Sequence, residues 1–306
     1  MVKCIRGAEG VLWAPSRELC GLDDDEFADL LVALAPLEIA DKAARAQRKP
    51  RRRAPGAGRK PYPFGFRLLV GVAHLWLGLS VRQTAAIFRV HERTVRAWRD
   101  ETIRLLVAHG PRLPGTTEPI RTEAELLEHL KAKAGTDLAY VVIDGTCTPR
   151  PRPGGDWAAQ RPAWSGKAHR HVVKASVLAD EDGNPLWWEA NPSGQGRTHD
   201  VAMLRDQGLL LILALAGITV IADLGYEGLH HDLDNDLWVP RRHRPGRRLD
   251  RDSRLYNRAL AQARVRVEHA IAKLKRWGAL RHHRRSPTSF DNLGKAIVVL
   301  EAFRRR

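Results

Sequence analysis

Two short apolar runs, Leu138 to Ile143 and Ile218 to Ala222, each end directly in an aspartate followed by a glycine-containing turn. The turns read Asp144-Gly145-Thr146 and Asp223-Leu224-Gly225-Tyr226. Runs of five or six residues rich in Val and Ile are too short for buried helices and have the length of buried strands. Between them lie two more strand-like segments, His171–Ala179 and Pro185–Ala190, joined by the turn Asp180-Glu181-Asp182-Gly183-Asn184. A helical stretch from Asp200 to Ala216, stopped by Gly217, follows. A short fifth strand is expected at Leu237–Pro240, and a long helix from Ser253 to Trp277 with Leu260, Val267, Ile271 and Leu274 along one side. Strands, helix, strand and helix in that order predict a mixed α/β sheet with flanking helices.

The segment before this sheet is helical in period. Residues 22–47 carry Leu22, Phe27, Leu30, Leu31, Leu34 and Leu37 at three- and four-residue steps, with Pro36 expected to kink or break the helix. From Phe66 to Leu77 the period returns. Ser80 then opens a second helix with Gln83 placed to complete a capping box, and after Arg89-Val90-His91 a third runs from Glu92 towards Leu106. Two short helices joined by a three-residue turn, the second rich in arginine, predict a helix-turn-helix. Val95 and Trp98 would face inward, and Arg93, Thr94, Arg96 and Arg99 a DNA groove. Thr122 and Glu125 form a further capping box after the Pro-rich stretch 111–119. The expected division is therefore residues 1–62, an N-terminal helix and basic linker; 63–110, the helix-turn-helix; 111–136, a linker and connecting helix; and 137–306, the sheet domain.

Charge narrows the partner. Among 306 residues, Lys+Arg number 51 and Asp+Glu 35, a net charge of +16. The first forty residues are acidic, so the positive excess lies downstream. It clusters at Arg48–Pro61, Arg241–Arg248 and Arg281–Arg285. Such a balance fits a polyanion, and double-stranded DNA is the expected partner. The longest apolar run, Leu209 to Ala222, falls short of the roughly 20 residues that span a bilayer. Three cysteines at wide spacing offer no disulfide framework and no zinc spacing. A cytoplasmic, nucleoid-associated protein is the expectation. Gly166-Lys167-Ala168 lacks the upstream glycine and following Ser/Thr of a phosphate-binding loop, which removes support for an ATP-dependent mechanism.

Three acids stand out by position: Asp144 and Asp223 at strand ends, where α/β sheets bind ligands, and Glu268 one step off the apolar stripe of the last helix. Meeting in one place, they would repel one another unless divalent cations neutralised them, and hard oxygen donors suit Mg²⁺ or Mn²⁺. His199 and Asp200 could assist such a site, or Asp200 could simply cap the following helix.

Asp144-Gly145-Thr146, Ser165-Gly166-Lys167, Gly196-Arg197-Thr198-His199-Asp200, Asp223-Leu224-Gly225-Tyr226 and the Glu268 helix occur in an order that resembles DDE transposases, and most of all their Harbinger-like insertion-sequence branch. The resemblance covers about residues 63–300. It implies a ribonuclease-H-like catalytic domain behind the helix-turn-helix, with Asp144, Asp223 and Glu268 as catalytic and metal-binding triad and two Mg²⁺ or Mn²⁺ ions. It also implies phosphodiester hydrolysis and strand transfer on terminal inverted repeats and target DNA, by a homodimer or larger synaptic assembly. Around the glutamate, many insertion-sequence enzymes carry Tyr, Arg, Glu and Lys in sequence. Here Arg264, Glu268 and Lys275 match, and Ala261 stands at the tyrosine position. Lys167, Arg264 and Lys275 would contact DNA. The rivals are a non-enzymatic DNA-binding regulator derived from a transposase, a stand-alone endonuclease and a basic RNA-associated structural protein.

Overall fold

The computed structural model describes residues 4–48, 62–113, 116, 118–135, 139–233, 236–243, 246, 248–283, 285–286 and 288–304. The basic stretch Arg48–Pro61 lies outside them except for Arg48, as do Leu138 and parts of both downstream basic clusters.

A small hairpin, β1 (Ile5–Arg6) and β2 (Leu12–Trp13), opens the chain and leads through α1 (Arg17–Cys20) into α2 (Asp24–Arg48). Pro36 does not break α2, which is continuous over 25 residues. Proline removes the hydrogen bond to the carbonyl four residues earlier. Both Pro36 and Val32 are exposed, so water can reach that carbonyl while Leu30 and Leu34 hold the opposite side in the core.

Three helices follow: α3 (Phe64–Leu77), α4 (Val81–Phe88) and α5 (Glu92–His109). Ser80 and Gln83 form the expected capping box, and Arg89, in the left-handed region at φ 51°, makes the tight turn that His91 closes by capping α5. Trp13, Phe66, Phe88, Trp98 and Tyr62 pack ring against ring at the centre of this helical region.

Helix α6 (Glu123–Ala134), opened by the Thr122–Glu125 capping box, leads to the sheet. Its strands are β3 (Tyr140–Pro149), β4 (Trp164–Ser165), β5 (Arg170–Ala179), β6 (Pro185–Ala190), β7 (Thr219–Ile221) and β8 (Leu237–Trp238). β5 pairs antiparallel with β3, β4 and β6; β7 is parallel to β3, and β8 to β7. A mixed sheet with this order is consistent with the ribonuclease-H-like class. Between the strands lie α7 (Trp157–Gln160), α8 (Asp200–Arg205) and α9 (Gly208–Ala216), and the chain ends in α10 (Arg251–Lys275) and α11 (Thr288–Phe303).

Two expectations change in detail. The first strand does not stop at Asp144 but runs five residues past it. The helix expected over 200–216 is two helices. At the break, the buried Gln207 side chain accepts from Ser176 and donates to the Glu189 carbonyl, and the Glu189 carboxylate accepts the Gly208 and Leu209 N–H groups. A carboxylate supplied from β6 thus starts α9 afresh. Helix α11 has no counterpart in the sequence reading.

Strand alternation divides the core. Val141, Ile143 and Val220 face a cluster with α6 and α9. Val142, Val177 and Ile221 face the other cluster, which is continuous through α10 and α11 into α2, α3 and α5. Trp76 of α3 meets Trp277, just past α10, edge to face at 5.1 Å. Beside them Gly78 (φ 64°) and Gly278 approach so closely that a Cβ on Gly78 would lie 2.5 Å from the Gly278 carbonyl carbon.

Candidate active site

β7 pairs with β3 only as far as Val142↔Ile221, whereas β3 continues, paired with β5 at Asp144↔Val177. Asp144 therefore stands two residues beyond the last rung, where β3 has lost its neighbour on one side. Asp223 stands at the same level, two residues beyond Ile221. Alternation carries both on from Val142 and Ile221, which face α10.

Each aspartate is fixed by a local N–H. Gly145 N donates to Asp144 Oδ1 at 2.7 Å, and Gly225 N to Asp223 Oδ1 at 2.8 Å, where Asp223 caps the 3₁₀ turn Leu224–Leu229. Burial is the main cause that pushes the Asp144 carboxyl up to about 6, with the charges of Asp223 and Asp200 adding to it and the Gly145 N–H and Arg264 opposing.

Asp200 joins the acidic group through Lys174. It does not cap α8: the N-cap is His199, whose side chain makes no capping bond. Instead Asp200 Oδ1 accepts from Lys174 Nζ at 2.7 Å, and Lys174 also donates to the Thr198 carbonyl. The Asp200 carboxylate leans over Gly145, where a Cβ would come within 2.8 Å of Oδ1. That contact explains the glycine after Asp144. Tyr226, fully buried, belongs to the same locality: the charges of Asp200, Asp144 and Asp223 all act on it.

Of the remaining candidates, Arg264 comes close to this group and the others lie further off. Helix α10 packs its Leu260, Val267, Ala270 and Leu274 side into the core shared with β3, β5 and β7. Arg264, half-buried, comes near enough to act on Asp144. Glu268 is one turn further along and exposed, and Lys275 is half-buried at the helix end. Among the described residues, no group of three or more His, Cys, Asp or Glu is close enough to hold one metal ion. The structure thus gathers Asp144, Asp223, Asp200 and Arg264, and leaves Glu268 on the adjoining helix flank.

Lys167 and His199 are exposed near the sheet's edge. On α5, Arg93 and Arg96 are exposed and Thr94 is half-buried. Arg99 departs from the groove-facing expectation: its side chain is 13% exposed and paired with Asp100 at 3.0 Å, and Asp100 also binds Arg285 at 3.0 Å. Arg99 and Arg285 line a cavity of about 240 Å³ between α3, α5 and the start of α11. Lys174 and Tyr226 were absent from the sequence-derived set. Lys174 was detectable as a charge set in the apolar run Val172–Ala179 of β5, and Tyr226 as the last residue of the Asp223 motif.

Residues 143–302 match the family described as DDE superfamily endonuclease. A probable transposase for insertion sequence element IS702 from Microchaete diplosiphon is 30% identical over 148 residues, covering 48% of this chain and 50% of that protein. The chain therefore spans about half the length of this curated relative. No solved structure matches it.

Proposed function

Because the chain belongs to the DDE superfamily endonuclease family, we propose that it is a DNA transposase, cutting the phosphodiester at its element's ends and joining the freed 3′ ends to target DNA. The observation that carries this reading is the pair Asp144 and Asp223, level with each other at the point where β7 stops, with Asp144 raised to about 6. Perturbed carboxylates of this kind mark functional sites. The relative named as a probable transposase supports the same reading.

The donor chemistry fits a divalent cation. Carboxylate oxygens are hard ligands, and the repulsion between Asp144 and Asp223 favours a neutralising Mg²⁺ or Mn²⁺. Asp144 and Asp223 would hold the cations, two in number, with Glu268 supplying a third carboxylate from α10. When bound, such ions activate water and stabilise charge at the phosphorus centre.

The protein's own residues hold the DNA. Arg93, Thr94 and Arg96 on α5 read the terminal inverted repeats, with α4 and α5 acting as a helix-turn-helix. Arg264, Lys275 and Lys167 grip phosphates near the cut. In the first step, water oxygen bonds to phosphorus and the 3′ oxygen leaves as a hydroxyl. In the second, that hydroxyl attacks a target phosphodiester, whose own 3′ oxygen departs. Bringing two ends together calls for a homodimer or larger assembly.

Asp144→Asn tests the assignment. Mg²⁺-dependent nicking of end DNA should fall at least 10³-fold while end binding is retained; full cleavage by the variant would refute it. A joining assay with a pre-cut 3′ end separates a transposase from a stand-alone nuclease.

A further inference from the structure

The Tyr226 hydroxyl is out of place in the fold described so far. Its ring is 0% exposed, locked among Leu204, Leu229 and their neighbours, and its backbone N–H is tied to the Asp223 carbonyl at 3.1 Å. Yet the hydroxyl has no hydrogen-bond partner among the described residues. A buried hydroxyl left unpaired costs free energy, so a group that no side chain or backbone atom of the described residues satisfies calls for a partner from elsewhere. The groups around it are acidic: Asp200, Asp144 and Asp223 act on it together, opposed by the more weakly felt Arg264. Of these, Asp200 is anchored by Lys174, and Asp144 and Asp223 by one local N–H each. A phenol O–H is a donor, and all three neighbours are acceptors.

We propose that Tyr226 is a positioning residue for this acidic group: its buried hydroxyl becomes a hydrogen-bond donor to one of the three carboxylates when a divalent cation draws them into their binding arrangement. The proposal rests on the endonuclease reading above and goes beyond the triad by assigning a residue that orients it. Carboxylates that hold a metal are themselves held by hydrogen bonds, and loss of one such bond typically weakens metal affinity or activity 10–100-fold. The phenol is supplied from the turn after β7, on the side of the sheet that also carries Asp200. It is distinct from the α10 position, where this chain has Ala261.

Tyr226→Phe removes one oxygen and nothing else. Thermal melting of the full chain is followed during a Mg²⁺ titration, alongside nicking of end DNA. Without Mg²⁺, Y226F should melt no lower than the wild type, because the resting hydroxyl has no partner among the described residues to lose. The Mg²⁺ concentration at the midpoint of the melting-temperature rise should increase 10–100-fold, and nicking at low Mg²⁺ should fall in step. A variant that fails to fold, or melts clearly lower without Mg²⁺, overturns the proposal, since the hydroxyl would then be bonded in the resting protein. A wild type that responds to Mg²⁺ with a Y226F variant that responds identically overturns it alone. A wild type with neither a Mg²⁺-dependent shift nor nicking removes the endonuclease reading and this proposal with it.

Discussion

Asp144 carries a measurable signature before any DNA is added. Its carboxyl is raised from the ordinary aspartate range to about 6 in the fold. The proton is therefore held more tightly in the folded than in the unfolded chain. The stabilisation is fully present below the unfolded value near 4, and is lost as pH rises through about 6. Two units correspond to roughly 2–3 kcal/mol. In metal-free protein, Asp144→Asn should thus melt higher than the wild type at pH 8 and about equally at pH 4; a pH series of thermal melts checks this. Gly145→Ala should act on the same locality by another route. Its Cβ would displace the Asp200 carboxylate from Lys174, so nicking should fall well over tenfold, with a stability loss of about 1–3 kcal/mol in urea unfolding.

At the scale of elements, the break between α8 and α9 depends on one side chain. Glu189→Ala leaves the Gly208 and Leu209 N–H groups without their acceptor, and α9 starts uncapped. A loss of about 1–2 kcal/mol is expected from the change in urea midpoint. The same element shows what a sequence can and cannot disclose. Periodicity sees one apolar stretch from Asp200 to Ala216, because the carboxylate that divides it comes from a strand ten or more residues earlier. Local signals fared better: the Ser80 and Thr122 capping boxes, the turn at Arg89 and the strands around Asp144 and Asp223 were all legible. Pro36 misled, since a helix tolerates proline where the freed carbonyl faces water. Helix α11 went unread, and Lys174 and Tyr226 left only local traces, a charge in an apolar run and the end of the Asp223 motif, because only the folded sheet sets them beside Asp200. Glu268 lies on the long helix expected for it, but no pattern in the chain specifies how far its side chain reaches.

Across the whole molecule, the net charge of +16 and the exposed Arg93 and Arg96 predict binding that is steeply salt-dependent. The logarithm of affinity should fall linearly with the logarithm of salt, by nearly one per phosphate contact. Removing Arg96 should lower that slope by about one in a fluorescence-anisotropy titration. Gly278→Ala is the corresponding test of assembly. Its Cβ would meet the Gly78 backbone nitrogen at 2.6 Å, and about 1–3 kcal/mol of stability should be lost by thermal or urea melting.

The glycine contact and the Trp76–Trp277 pair have a metric consequence. They seat α3 against the turn that follows α10, in the same core that reaches β3, β5 and β7. Under the transposase proposal, the number of base pairs between a sequence held by α5 and a bond cut beside Asp144 would be set by this packing. Inserting about five base pairs there, half a turn of duplex, should then turn the other face of the duplex to the aspartates and lower nicking of end DNA.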